Sequence, residues 1–300
     1  MSRIPIAGLA AMAALALTAT TQAQQQQPQF AATKVDGTDN VYIFRYVGHQ
    51  SMFIVTPEGV IATDPIGERR PAAQAYIAEI KKITNAPIRY VIYSHSHLDH
   101  IAGGKPFKDA GATFVAHENA KKRLQEINFP DVVMFPDVVM PDEVVTGAKR
   151  DITLGGTTLE LNYVGKNHSD NTLVLRLPRE KIIFAVDWIP IEGVQFRGMA
   201  DTYVPDIEES LKKVIAMDWD RMIPGHPGPG GRLGTKDDAR AHLQYLQDLS
   251  AAVKQAVNEN KSYVDAEKDI KLPKYEKWGG YNAFLPMNIE RYYDFWNRGI

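Results

Sequence analysis

Residues 94–100 read Ser94-His95-Ser96-His97-Leu98-Asp99-His100, directly after the run Ile88-Arg-Tyr-Val-Ile-Tyr93. That run is mostly β-branched or aromatic, which is typical of a buried strand. Because residues two apart in extended backbone point the same way, His95 and His97 can hold a single ion beyond the strand's end. Asp99 and His100 lie on the turn that follows and would face a second position. The sequence therefore predicts a metal site at the edge of a sheet.

The side chains of this stretch are of the types that bind zinc. Imidazole nitrogens and carboxylate oxygens are common zinc ligands, and a water or hydroxide would complete each coordination shell. The alternative is that the cluster only satisfies buried polar groups, but burying four titratable side chains without a metal is costly. Gly103 and Gly104, just beyond, would let the chain pass close to the metals and start a helix.

Strands and helices alternate on both sides of the histidine stretch. On the amino-terminal side, strands are predicted at 41–46, 51–56 and 59–63, and a helix at 72–83. On the carboxy-terminal side, the patterns predict helices at 103–110 and 118–127, strands at 113–116, 152–154, 158–164, 172–177 and 181–186, and helices at 207–217 and 235–259. Two successive halves of strands and helices predict two sheets packed together with helices outside, in one α/β domain over residues 41–300.

The composition is that of a globular protein and excludes some classes of function. The 300 residues are 44% hydrophobic and 23% charged, which suffices for one large core. The formal net charge is −2 and no basic stripe occurs, so no nucleic-acid partner is expected. The chain has no cysteine, so neither a disulfide nor a thiolate ligand is available.

The amino terminus predicts export to the periplasm or the medium. One positive charge precedes an apolar run over residues 4–17, and small residues at Thr21 and Ala23 fit a signal-peptidase site. Because the run is short for a membrane span, we predict a removed signal at 1–23 and a flexible tail at 24–40, without stable membrane insertion afterwards. An uncleaved membrane anchor is the alternative.

Two further segments have open interpretations. Residues 129–140 contain the hexapeptide Phe-Pro-Asp-Val-Val-Met twice in tandem, which predicts a loop across the surface. The loop is either an apolar flap over the site or a tolerated duplication. The aromatic-rich segment 271–300 is expected to pack over the helical layer or a second subunit, so the oligomeric state stays open.

The motif and its context resemble the metallo-β-lactamase superfamily. His-x-His-x-Asp-His after a strand is similar to the superfamily's signature, and the match extends over residues 41–228. Asp64, at a strand end in Ile-Ala-Thr-Asp-Pro, looks like the early aspartate that supports the ligands. The remaining ligands are matched by His168 for the third histidine of the first site, Asp187 for the bridging carboxylate and His226 for the last ligand of the second site.

The resemblance implies a four-layer αβ/βα sandwich of two mixed sheets, with two zinc ions per chain. The implied ligands are His95, His97 and His168 for the first ion, Asp99, His100 and His226 for the second, and Asp187 for both. Ions roughly 3.5 to 4 Å apart share a hydroxide that acts as nucleophile. Asp99 is the expected proton carrier to the leaving group. The implied activity is hydrolysis of an ester, lactone, thioester or amide in a small-molecule substrate, with β-lactams as a specific case.

The subfamily stays open. The ligand set is similar to that of glyoxalase II and of quorum-quenching lactonases, but glyoxalase II works inside cells and the lactonases have a tyrosine where Trp188-Ile-Pro190 follows the bridging aspartate. Two other classes remain: a mononuclear iron oxidoreductase similar to sulfur dioxygenases, and a non-catalytic periplasmic accessory that binds metal. Iron and manganese therefore stay open beside zinc.

Three histidines lie outside the implied ligand set. His117 is expected at a helix entry, and His242 on the exposed surface of a helix. His49, in the turn between two early strands, is expected either to be structural or to line the mouth of the pocket.

Overall fold

In the computed structural model of the protein, residues 30–67, 72–127 and 137–299 are described. The predicted signal at 1–23 and most of the hexapeptide repeat lie outside these ranges. The described residues form two β-sheets with helices on the outer face of each.

Seven strands form the first sheet, in the order β1-β2-β3-β4-β5-β6-β7. They are β1 (Phe30–Lys34), β2 (Val41–Tyr46), β3 (His49–Thr56), β4 (Gly59–Thr63), β5 (Ile88–Ile92), β6 (Thr113–His117) and β7 (Glu143–Val145). β1 to β4 pair antiparallel and β4 to β7 pair parallel, so this sheet is mixed.

Five strands form the second sheet, in the order β12-β11-β10-β9-β8. They are β8 (Lys149–Leu154), β9 (Thr157–Tyr163), β10 (Leu173–Leu177), β11 (Ile182–Ala185) and β12 (Arg221–Pro224). β11 and β12 pair parallel and the others pair antiparallel, so this sheet is mixed as well.

Helices cover the outer faces of both sheets. They are α1 (Ala72–Ile83), α2 (Leu98–Ile101), α3 (Lys105–Asp109), α4 (Glu118–Glu126), α5 (Asp206–Ala216), α6 (Lys236–Asn258), α7 (Tyr263–Asp269) and α8 (Tyr281–Arg298). Residues of α1, α3 and α4 pack on the first sheet, while residues of α5, α6 and α8 pack on the second. Within the described residues, no helix is both long enough and apolar enough to cross a membrane.

The two-residue period of the strands builds the layers. In β3, Met52 and Ile54 face the core between the sheets, whereas Phe53 faces the core under the helices. In β11, Phe184 faces the core between the sheets and Ile183 faces the other helical layer. Strands buried on both faces are apolar almost throughout, as these are. The predicted four-layer αβ/βα sandwich is confirmed.

The flexible tail predicted for residues 24–40 is wrong for its second part. Phe30–Lys34 forms β1, which pairs antiparallel with β2 along its whole length, from Phe30 opposite Tyr46 to Lys34 opposite Tyr42. The polar composition of the segment suggested a tail. β1 is the edge strand of its sheet, and Phe30 stacks on Tyr46.

The carboxy-terminal segment packs on the helical layer, which was one of the two alternatives predicted for it. α8 lies along α6, and Tyr245 of α6 donates a hydrogen bond of 2.7 Å to Asn288 of α8. The same packing overturns the expectation that His242 is exposed. His242 is fully buried on α6, where Trp278 stacks over its ring and the Gln195 amide nitrogen lies 2.7 Å from its Nε2.

The buried position of His242 predicts a loss of stability in acid. Burial lowers the pKa of His242 to about 3, whereas its ordinary value is 6.5, so below pH 6.5 the unfolded chain binds a proton that the folded protein does not. The free energy of unfolding should therefore fall by about 2 kcal/mol between pH 7 and pH 5 through this residue alone. Urea unfolding of the wild type and of His242→Gln at both pH values measures the difference. Equal pH slopes for the two proteins would contradict the prediction.

Candidate metal centre

The site lies at one edge of the sandwich, where strands of both sheets end. β4 and β5 pair parallel in the first sheet, and β11 and β12 pair parallel in the second. The carboxyl ends of parallel neighbours meet at the same edge of a sheet. The site residues that directly follow these ends are Asp64 after β4, His95, His97, Asp99 and His100 after β5, Asp187 after β11 and His226 after β12. His168 lies on the loop between β9 and β10.

Three histidines and one aspartate form the first cluster. His95, His97, His168 and Asp187 each offer one ligand atom, and these atoms all lie within 4.8 Å of one another. Nε2 of His168 lies 3.0 Å from Nδ1 of His97, and Nε2 of His95 lies 3.4 Å from Oδ2 of Asp187. His95 and His97 lie together, as the sequence predicts, although residues 94–96 form a bend after β5 and not extended backbone.

A second cluster contains one residue more than the implied ligands. His49, Asp99, His100 and His226 offer ligand atoms within 4.8 Å of one another. Oδ2 of Asp99 lies 3.4 Å from Nε2 of His100 and 3.7 Å from Nε2 of His226. Asp99 and His100 lie on α2, whose one turn brings both side chains to this side of the site.

Asp187 joins the two clusters. Its Oδ2 lies 3.4 Å from His95 and 3.0 Å from His100, while its Oδ1 lies 3.2 Å from His226. The backbone of Asp187 has a φ of 73°, in the left-handed region that few residues other than glycine adopt. Backbone strain of this kind persists where the surroundings enforce it, often at functional sites. Gly225 makes room for this carboxylate, because a Cβ there would lie 2.4 Å from Val186 and 3.1 Å from Asp187.

The distances and the unpaired atoms fit metal ions. Two ligands bonded to one ion at about 2.1 Å, with angles near 90–110°, lie roughly 3.0–3.4 Å apart. Most of the distances above fall in or near that range. Among the described residues, Nε2 of His95, Nε2 of His100 and Oδ1 of Asp187 are buried without a hydrogen bond. Buried polar atoms without partners are rare, so atoms that converge in this way are suited to coordinate an ion.

Three of the ligand histidines are held through their other nitrogen. Nδ1 of His95 lies 2.9 Å from the Ser94 hydroxyl, which donates 2.6 Å to Oδ2 of Asp64. Asp64 also accepts from the Ser94 backbone at 2.7 Å and lies 3.5 Å from Nδ1 of His100. Nδ1 of His226 lies 2.7 Å from the Gly48 carbonyl. Such contacts fix the ring orientation and the tautomer of a metal ligand.

Asp201 holds the third of these rings, His97. Its Oδ2 pairs with Nε2 of His97, so that Nδ1 of the ring faces His168. Asp201 lies on the loop between β11 and α5, and sequence reasoning did not single it out.

Four of the candidate ligands have the protonation states that metal binding needs, and two do not. Burial lowers the pKa of His95 to about 3 and also lowers that of His168, so both rings are neutral. Burial alone raises the pKa of Asp187, but the charge of His100 and the close approach of the His226 and His95 rings hold it well below the usual range. For Asp99, burial is likewise outweighed by the His49 hydrogen bond and the His100 charge, and its pKa is lowered. Neutral imidazoles and ionised carboxylates are the forms that bind metals. Burial lowers the pKa of His100 and of His226, but the nearby Asp187 carboxylate outweighs it and raises both, so a metal would displace a proton from these two rings.

The sequence model of the metallo-β-lactamase superfamily matches residues 45–226, which is more than half of the chain. The chain belongs to this superfamily. Its two clusters contain all seven residues that the resemblance implied, and the second contains His49 as well.

Relatives within the superfamily carry several different names. The α subunit of a 2,4-dinitroanisole O-demethylase from Nocardioides sp. (strain JS1661) is 26% identical over 177 residues, which are 56% of this chain and 49% of that subunit. A type 2 metallo-β-lactamase from Bacillus sp. (strain 170) is 24% identical over 212 residues, 66% of this chain and 75% of the lactamase. The chain thus spans about half the length of the demethylase subunit.

Solved structures support the fold alone, because their identities are low. A metallo-β-lactamase from Pontibacter korlensis superposes with a TM-score of 0.60 at 20% identity, covering 73% of this chain and 99% of that one. A stereoselective inverting sec-alkylsulfatase from Pseudomonas sp. superposes with a TM-score of 0.70 at 16% identity, covering 88% of this chain and 50% of that one.

The remaining histidines divide between site and scaffold. His117 is the last residue of β6 and caps the amino terminus of α4. Its Nδ1 accepts a hydrogen bond from the Asn119 backbone at 3.2 Å, which fits the predicted helix entry. His49 lies in the second cluster, with Nε2 3.1 Å from Oδ2 of Asp99. The turn between β2 and β3 is therefore part of this superfamily member's centre.

The contact of Asp201 with His97 predicts a selective effect on metal binding. Asp201→Ala should weaken the first ion's binding roughly 10- to 100-fold, since the ring loses the partner that orients it. Asp201→Asn keeps an oxygen that accepts from Nε2 of His97 and should bind nearly as the wild type does. Zinc competition with a chromogenic chelator compares the three proteins. If Asp201→Ala binds zinc as tightly as the wild type, Asp201 does not orient the ring.

Proposed function

We propose that this superfamily member is a metal-dependent hydrolase of small molecules, with two zinc ions held by His95, His97, Asp99, His100, His168, Asp187 and His226. The observation that carries the proposal is the position of Asp187 between the clusters: its Oδ2 faces His95 of the first and His100 of the second, and its Oδ1 faces His226 of the second. A carboxylate in that position suits a pair of ions a few ångströms apart. The bonds we expect to be cleaved are those of an ester, lactone, thioester or amide.

The reaction needs a nucleophile, a stabilised oxygen and a proton for the leaving group. Two bound zinc ions would supply a hydroxide at neutral pH and positive charge for the carbonyl oxygen. We assign the transfer of this proton to Asp99. It belongs to the second cluster and also borders the open cleft. Its carboxylate is ionised, so it can receive a proton and pass it to the leaving group.

A cleft of about 750 Å³ opens beside the first cluster and is large enough for a small molecule. The residues that line it are Ser96, His97, Leu98, Asp99, Arg123, Ile127, Ser169, Asp170, Asn171, Ala200, Asp201, Thr202, Tyr203 and Arg291. Two of these lining residues hold each other in place: the Asn171 side chain accepts from the Ser96 backbone at 3.0 Å and donates to the Ser96 hydroxyl at 3.2 Å. The cleft thus gives substrate access to His97 and Asp99.

The names of the relatives set the breadth of the substrate test. They include an O-demethylase, β-lactamases and an alkylsulfatase, so no single substrate class follows from them. A suitable panel contains lactones, thioesters, aryl esters, a chromogenic cephalosporin, an alkyl sulfate and an aryl methyl ether.

Elemental analysis of the purified protein, combined with this panel, tests the proposal. About two zinc per chain, with turnover of one class that a chelator abolishes and zinc restores, is the expected result. A single iron per chain without hydrolysis would instead indicate oxygen chemistry. Two zinc per chain without any turnover would indicate an accessory role, and either result would overturn the hydrolase.

A further inference from the structure

His49 is the one residue of the second cluster that the implied ligand set does not contain. It is the first residue of β3, which pairs antiparallel with β4. The start of β3 therefore lies beside the end of β4, at the same edge of the sheet as the metal centre.

Contacts on both sides of His49 fix its backbone at the site. The preceding carbonyl, that of Gly48, accepts from Nδ1 of His226 at 2.7 Å. The following residue, Gln50, donates from its backbone to the Gly225 carbonyl at 2.8 Å and from its side chain to the Pro224 carbonyl at 2.6 Å. The turn between β2 and β3 is thus tied to the end of β12, which carries His226.

The ring of His49 faces the same point as the other members of the cluster. Its Nε2 lies 3.1 Å from Oδ2 of Asp99, and its ring centre lies 4.5 Å from that of His226 and 5.6 Å from that of His100. Oδ2 of Asp99 also faces Nε2 of His100 and Nε2 of His226, so His49 lies on the side of the carboxylate where the other ligand atoms converge. His49 has its ligand nitrogen within 4.8 Å of all of them.

We propose that His49 is a ligand of the second metal ion, beside Asp99, His100, His226 and the shared Asp187. This inference rests on the two-ion centre proposed above. Three imidazoles and two carboxylates would give that ion five protein ligands, whereas the first cluster offers four, His95, His97, His168 and Asp187.

The unequal ligand numbers would give the two ions different tasks. Five protein ligands would leave little room for an exchangeable water, so an ion bound there would be held tightly and would supply mainly its charge. Each cluster contributes one residue to the cleft, His97 of the first and Asp99 of the second, but the lining also contains Ser169 and Asp170, which follow His168 of the first cluster. Substrate therefore approaches on the side of the first ion.

Metal retention in His49 variants tests the assignment. The wild type, His49→Ala and His49→Gln are loaded with zinc and titrated with a chelator while released zinc is measured. We expect both variants to release their second zinc at a chelator concentration at least about 100-fold lower than the wild type, with the first zinc unaffected. X-ray absorption should show fewer imidazoles per zinc in both variants. His117→Gln, the same change outside the centre, should behave as the wild type.

The glutamine variant separates the two roles of His49. Its amide can still donate a hydrogen bond to Asp99 but is a poor metal ligand, so wild-type zinc retention in His49→Gln would show a donor only and overturn the proposal. Wild-type retention in His49→Ala would overturn it as well. A wild type that binds fewer than two ions would overturn the two-ion centre itself. That result differs from a wild type that binds two ions and variants that retain both, which would overturn only the role of His49.

Discussion

Replacing Asp187 with alanine is expected to abolish the binding of at least one metal ion and to lower turnover by roughly 10³- to 10⁴-fold. The carboxylate presents Oδ2 to His95 and His100 and Oδ1 to His226, so its loss removes a ligand from both positions at once. Metal ions contribute several kcal/mol to the stabilisation of transition-state charge, and each 1.4 kcal/mol is about tenfold in rate. Elemental analysis and kcat/KM on the substrate identified by the panel measure both effects.

Two variants serve as controls for this prediction. Asp187→Asn keeps the volume and one oxygen but lacks the charge, and it should lose most of the activity as well. Asp218→Ala makes the same change at an exposed carboxylate that pairs with Lys181 at 3.2 Å, and it should leave metal content and turnover unchanged. Near-normal turnover in Asp187→Ala would contradict the assignment of Asp187 as the ligand shared by both ions.

The fold was predictable from the sequence where the strands are long. β2, β3, β4 and β5 are runs rich in β-branched and aromatic residues, and their predicted bounds agree with the structure to within about two residues. β7 and β12 were missed because three or four residues are too few to show a period. β12 ends in a proline, and it becomes a strand because it pairs parallel with β11.

α8 was missed for a different reason. Its sequence contains Pro286, which ordinarily interrupts a helix. Burial of Leu285, Ile289 and Tyr292 against α6 and its neighbours outweighs that local cost. The same packing buries His242, which shows why the burial of a helix face cannot be inferred without its partner.

Some residues of the centre could be predicted from local sequence, whereas others are brought together only by the tertiary fold. His95 to His100 form a contiguous motif, so their proximity follows from backbone geometry. His168, Asp187 and His226 are distant in sequence, and only the resemblance assigned them. For His49 a signal existed, because the start of a strand antiparallel to β4 must lie beside the end of β4. Asp201 lies in an irregular loop, where Tyr203 donates to the Asn167 carbonyl, and no periodic pattern marks it.

Replacing Asp64 with alanine is expected to lower the free energy of unfolding of the metal-free protein by about 3–5 kcal/mol. Asp64 is fully buried and accepts from the Ser94 backbone at 2.7 Å and from the Ser94 hydroxyl at 2.6 Å. Without the carboxylate, two buried donors lose their acceptor. Zinc binding should also weaken roughly 10- to 100-fold, because Asp64 supports His95 through Ser94 and faces His100. Urea unfolding in excess chelator and zinc competition measure the two effects separately.

A matched variant at the same position separates the carboxylate from the backbone. Asp64 has a φ of 31°, in the region that alanine rarely adopts and asparagine tolerates, so part of the loss in Asp64→Ala is strain. Asp64→Asn avoids that strain and keeps one oxygen for the Ser94 backbone, but it places an NH₂ group opposite the Ser94 hydroxyl or His100. Its stability should therefore lie between that of the wild type and that of Asp64→Ala, with zinc binding still weakened. Equal zinc binding in all three proteins would show that Asp64 stabilises the strand end without orienting His95 and His100.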